Sequence, residues 1–165
     1  MTTGPLGGCS GGNQTDMSKV IWSDEKRFTL DGPDGYDRSY QFPDQKKSWK
    51  TRRQQGGGGL MVWACHSAKH KGPMVLAEGN LDSEAYINIL ESNLVPFIKS
   101  TKSKKMIFMH DNASIHASNK TLEWLAENQI EILTWPPQSP DLNPIENIWK
   151  LISASVYEHG KQYFS

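Results

Sequence analysis

With 165 residues the chain has length for one domain with a real core, and 36% hydrophobic content with six Trp, five Phe and five Tyr excludes disorder outside the ends. Eighteen basic residues balance eighteen acidic ones, so no global field draws an anionic partner and any nucleic-acid surface must be a local patch. Two cysteines, Cys9 and Cys65, exclude a disulfide framework; no apolar run reaches membrane-span length and no signal-peptide plan opens the chain, so a soluble intracellular protein is expected.

Residues 1–16 are glycine-rich without apolar periodicity and read as a flexible leader or an expression scar, leaving 17–165 as the domain. VIWSDEKRFTL reads as a strand ending at the turn signal DGPDG, and YDRSYQF as a second short strand. The tract Lys46, Lys47, Lys50, Arg52 and Arg53, interleaved with Trp49, could track a phosphate backbone and stack on a base, or be a solvated face. The four glycines that follow lack a Gly-Lys-Ser/Thr and lead into a strand, so they read as a turn rather than a phosphate cradle.

LMVWACHS and PMVLAEG form a hairpin; Cys65, His66 and His70 lie close in it but lack a fourth ligand and alternate in face, which argues against zinc. Asp82 or Ser83 caps a helix over SEAYINILESNLVPFIKS, kinked by Pro96. KMIFMHD, apolar without alternation, suits a central strand covered on both faces and ends at Asp111. A helix over 118–128, a strand at IEILTW and a helix from Pro144 to about His159 complete the order. Antiparallel strands followed by alternating strand and helix units give an α/β domain, a mixed sheet with helices on its faces, whose ligands gather at the carboxyl ends of the parallel strands.

Three acids fall where such a sheet could gather them: Asp24 in the first strand, Asp111 closing the central one, and Glu146 opening the last helix. Glu25 sits next to Asp24, but alternation sends the two to opposite faces. Clustered carboxylates repel and demand cations, and oxygen ligands favour Mg²⁺ or Mn²⁺, two of which can carry phosphodiester chemistry. Glu146 also has a structural reading, since Asn143, Pro144 and Glu146 have capping-box spacing.

WSDEKRF around Asp24, MHDNASIH around Asp111 and WPPQSPDLNPIENIW around Glu146, with thirty-four residues (112 to 145) between the last two acids, resemble the three catalytic blocks of the mariner superfamily of cut-and-paste DNA transposases. The resemblance runs from about Lys19 to Tyr163. It implies an RNase H-like fold with a mixed five-stranded sheet and helices on both faces. It also implies a two-ion Mg²⁺ site, open to Mn²⁺, on Asp24, Asp111 and Glu146, which hydrolyses DNA at transposon ends and joins the freed 3′-hydroxyls to target DNA. Asn112 and His116 match the block after the second acid; His116 is expected near DNA or ordering the site. Lys50, Arg52 and Arg53 match a DNA-contacting insertion. A homodimer, a nuclear location and no membrane association are implied with them.

The family's paired helix-turn-helix region has no counterpart here, and family members continue further past the third acid, so a truncated catalytic domain without specific end binding is expected. A domesticated or truncated relic that binds DNA or protein without turnover is the alternative, and a nuclease acting on RNA–DNA hybrids is a third reading.

Overall fold

A strand flanked by partners on both sides must satisfy two ladders, and β1 (Val20–Thr29) does so with β-branched and aromatic residues at its start. In the computed structural model, which describes residues 15–30, 58–103, 105–134, 139 and 142–158, β1 pairs antiparallel with β2 (Gly59–Ser67) along most of its length. On its other side it runs parallel to β4 (Ile107–Met109), which is parallel in turn to β5 (Glu131–Ile132). β3 (Lys71–Ala77) pairs with β2 and closes the five-stranded mixed sheet in the order β3-β2-β1-β4-β5. The expected strand over YDRSYQF lies outside the described residues, as do the leader up to position 14 and the glycine tract up to position 57.

The β2–β3 hairpin turns through residues 68–70, where Ser67 and His70 exchange hydrogen bonds. An irregularity in register between Ala64 and His66 brings Gly72 against β2: a Cβ there would stand 2.2 Å from the Cys65 carbonyl oxygen, so only glycine fits.

Helices cover both faces. On one, α1 (Ser83–Ile89) begins at Asp82, whose carboxylate accepts from the Ala85 N–H at 2.8 Å. It continues through a π-helical turn, Leu90–Leu94, into α2 (Val95–Ser100). The chain stays helical through Pro96: the wider turn before it, closed by Val95 N–H onto the Leu90 carbonyl, accommodates its missing donor and its ring. α3 (Asn119–Glu127), capped by Ser118, packs beside α1. Together they bury Tyr86, Leu90, Leu94, Phe97 and Leu125 against Ile21, Trp63 and Phe108 of the sheet. On the opposite face α4 (Ile145–Val156) lays Ile145 and Trp149 on Val62 and Ala64.

Just past α4, Tyr157 ties it to the far end of β1, its hydroxyl donating to the Thr29 carbonyl and accepting from the Thr29 N–H, both at 2.8 Å. The helix is thus held at both ends by β1. No helix among the described residues is long and apolar enough to cross a membrane.

Candidate active site

The parallel register between β1 and β4 sets the site. Val20, Ile21 and Trp22 lie opposite Ile107, Phe108 and Met109, and Asp24 and Asp111 are each two positions beyond the last pair. The two acids are therefore in step, Asp111 just past the carboxyl end of β4 and Asp24 at the same level within the longer β1, beside the strand end at which sheets of this kind bind ligands. The strands are also tied at this level by side chains, Ser23 Oγ donating to the Met109 carbonyl at 2.8 Å.

Asn143 brings the third acid. Its Nδ2 donates to the Ser23 carbonyl at 3.1 Å, and its Oδ1 accepts from the Ile145 N–H at 3.2 Å, so one buried amide docks the start of α4 on β1 beside Asp24. The capping-box expectation is half met: Asn143 Oδ1 caps the Ile145 N–H, the second position of a helix whose backbone is already helical at Pro144. Glu146 gives its backbone N–H to the Asn143 carbonyl and does not complete the box with its side chain. The same Asn143 amide also reaches a partner 120 residues earlier, which the local spacing does not show. Glu146, half-buried in the first turn, is left available to the site. Asn143→Ala leaves the Ser23 carbonyl and the Ile145 N–H without partners and is expected to cost about 1–3 kcal/mol in a urea unfolding measurement.

Asp24 faces α4, where Trp149 Nε1–H donates to its Oδ2 at 2.9 Å. Burial, then the neighbouring charges of Glu25 and Glu146, push its carboxyl up to about 7, against the opposing hydrogen bonds from the Glu25 backbone and Trp149. A carboxyl in that state is short of positive charge.

Asp111 is in a different setting. Its Oδ1 accepts from the Ala113 N–H at 2.9 Å and lies 2.6 Å from His116 Nδ1, and the His116 hydrogen bond foremost holds its pKa below the usual carboxylate range. Burial alone would lower the His116 pKa, but the hydrogen bond to Asp111 and the proximity of Glu25, whose Oε1 lies 3.3 Å from Nε2, raise it to about 9. The ring is buried against Tyr86, with centroids 4.3 Å apart, and His110, 5.1 Å away, both tilted to it. Burial, then the charge on His116, lowers the His110 pKa to about 4, so that imidazole is neutral.

Asn112 is exposed in the same loop and, with His110, Asp111, His116, Leu133 and Thr134, borders a cavity of about 200 Å³. Lys50, Arg52 and Arg53 lie outside the described residues. Cys65 is a free, buried thiol, its pKa pushed up to about 12 by burial, and makes no zinc cluster with His66 and His70 among the described residues.

The oxygen-only donors Asp24, Asp111 and Glu146 fit a hard divalent cation, and the raised pKa of Asp24 is what a cation would reverse. As the side chains stand, no three acids, imidazoles or thiols among the described residues are grouped to hold an ion, with Asp111 Oδ1 engaged by its own loop. Sequence reasoning missed three residues that shape the site: Trp149, the part Asn143 plays, and Glu25. Alternation correctly put Glu25 across the sheet from Asp24, but not that the far face holds the histidine that touches Asp111.

Among known proteins, the family model described as DDE superfamily endonuclease matches residues 19–163. The chain is 41% identical over 151 residues to the Tc3 transposase of Caenorhabditis elegans, covering 90% of this chain and 45% of that protein. It is 34% identical over 152 residues to the Tcb2 transposase of Caenorhabditis briggsae, covering 86% and 53%. Among solved structures it matches the Mos1 mariner paired end complex with Mn at a TM-score of 0.75 and 21% identity, over 91% of this chain and 45% of that one. The Mos1 paired-end complex with left transposon end gives 0.74 at 20%, over 90% and 44%. The chain spans about half the length of the curated relatives it matches. The structural likeness shows the fold, which is RNase H-like as expected.

Proposed function

Because the chain belongs to the DDE superfamily endonucleases, we propose that it is the catalytic core of a Tc/mariner-type DNA transposase that cuts DNA at transposon ends and transfers the freed ends to target DNA. The observation that carries this reading is the register that sets Asp24 and Asp111 each two positions beyond the last β1–β4 pair, with the start of α4 that carries Glu146 docked on β1 beside Asp24 by Asn143.

In this reading Asp24, Asp111 and Glu146 hold Mg²⁺, or Mn²⁺ in its place, as two ions. Bound there, such ions activate a water or hydroxyl on one side of the scissile phosphate and stabilise the leaving oxygen on the other. The protein's own share is positional. Trp149 fixes one oxygen of Asp24, Asn143 fixes the helix that carries Glu146, and His116 keeps Asp111 ionised at neutral pH. The similar Mos1 mariner paired end complexes with Mn and with Mg support a divalent ion.

DNA as substrate, with a homodimer acting in the nucleus, belongs to the same proposal. It is tested by joining the end-binding region of a related transposase ahead of residue 15 and supplying duplex DNA carrying that transposon end. Strand cleavage leaving 3′-hydroxyl ends is expected with Mg²⁺ or Mn²⁺; no cleavage with either ion would refute the reading. The basic tract is assigned to phosphate contact: Arg52→Ala with Arg53→Ala should weaken DNA binding and lower its salt slope by about 0.9 for each phosphate no longer neutralised. An unchanged slope removes that role.

A further inference from the structure

Behind Asp111, on the sheet face opposite α4, a buried polar chain runs Glu25–His116–Asp111. Glu25 Oε1 lies 3.3 Å from His116 Nε2, and His116 Nδ1 lies 2.6 Å from Asp111 Oδ1. The side chains of Glu25 and His116 are 13% and 3% exposed, while that of Asp111 is 57% exposed. The imidazole thus joins an acid inside the domain to one at its rim. Tyr86 and His110 also pack against it, both tilted to its plane, so the imidazole is buried among rings as well as between the two acids.

We propose that Glu25 is a positioning residue for the site, acting through His116 to hold Asp111 Oδ1 and so present the other carboxylate oxygen to the incoming ion. The inference rests on the metal-site reading above. Glu25 has no route to the ion of its own, because alternation along β1 puts it on the face away from Asp24 and α4. Its effect must pass through the imidazole, whose Nδ1 is hydrogen-bonded to Asp111 and whose Nε2 faces Glu25 Oε1 at ion-pair distance, neither Nε2 nor Oε1 having a hydrogen-bond partner of its own among the described residues. Groups that orient a ligand from behind are worth about 10–100-fold in metal affinity. A buried carboxyl one residue from an active-site acid, on the opposite face and aimed at the back of another, is placed for that task.

The test is a double-mutant cycle in the whole chain, read by the affinity for Mn²⁺ alone (electron paramagnetic resonance of free ion) and by thermal unfolding. Glu25→Gln, which keeps shape and loses charge, is expected to weaken Mn²⁺ binding about tenfold with the fold retained. His116→Asn places an amide N–H near the position of Nδ1 and keeps a donor to Asp111. It should retain more affinity than His116→Ala, and adding Glu25→Gln to it should cost nothing further. Equal losses from Glu25→Gln in both backgrounds, or no loss in the parent chain, overturn the proposal. Should Glu25→Gln not fold, Glu25→Asp, which keeps the charge but stops one methylene short, is read by the same criteria.

A second readout separates this proposal from the metal reading. In the ion-free chain the His116 Nδ1–H should give a downfield, slowly exchanging NMR resonance that moves on Glu25→Gln. Binding of Mn²⁺ with an unmoved resonance sinks the positioning role alone. A moved resonance with no Mn²⁺ binding sinks the metal reading and leaves the Glu25–His116–Asp111 chain standing as a structural one.

Discussion

Asp111→Asn is expected to abolish Mg²⁺- or Mn²⁺-dependent DNA strand cleavage while the chain still folds. The substitution is isosteric, and the side chain is more than half exposed, so packing is untouched. The amide oxygen can still accept from Ala113 and from His116, and the loop keeps its shape. What disappears is the negative charge, and with it one of the three ligands proposed for a doubly charged ion. Removing the several kcal/mol that such an ion supplies to a phosphodiester transition state corresponds to about three decades of rate or more. Cleavage assays on wild type and variant, with unfolding measured alongside, check both halves. Retained cleavage in a folded Asp111→Asn chain would remove Asp111 from the site.

Trp149→Ala is expected to be the most damaging single change to stability. The indole is 1% exposed, sits with Ile145 on Val62 and Ala64, and meets Phe28 edge-on with centroids 6.2 Å apart. Truncating such a residue costs about 3–5 kcal/mol, a large part of the roughly 5–15 kcal/mol that holds a domain together. It also strips Asp24 of the N–H that fixes its Oδ2. Trp149→Phe separates the two roles, since it keeps most of the apolar body and loses only the donor. The phenylalanine variant should stay folded and bind Mn²⁺ less tightly, whereas the alanine variant should unfold at clearly lower urea. A loss under about 1 kcal/mol in Trp149→Ala would mean that α4 is not docked as described.

How much of this was readable in the sequence depends on the range of the interaction concerned. The β-rich run of β1, the unalternating apolar run of β4 and the stripe of α3 are local signals, and each element formed where its pattern lies. The order of acids along the chain, Asp24 within β1, Asp111 just past β4 and Glu146 in the first turn of α4, was readable for the same reason. Long-range partners were not. Asn143 has capping-box spacing and its Oδ1 does cap Ile145, but its Nδ2 is also taken by a carbonyl of β1, which no window around α4 contains. The IEILTW run is apolar enough for a longer strand, but the described pairing with β4 covers only Glu131 and Ile132 because β4 itself is three residues long. Pro96 signalled a break, and the π-helical turn that absorbs it depends on Leu90 and Leu94 both being wanted in the core. Glu25 was legible as facing away from Asp24 but not as touching His116, an approach made only once the sheet exists.

Anomalous diffraction from crystals of the chain grown with Mn²⁺ tests the central claim most directly. One or two ions between Asp24, Asp111 and Glu146, with Asp111 Oδ1 still on His116, is the predicted result. Bound Mn²⁺ that touches none of the three carboxylates, or a site left empty at saturating Mn²⁺, would contradict it.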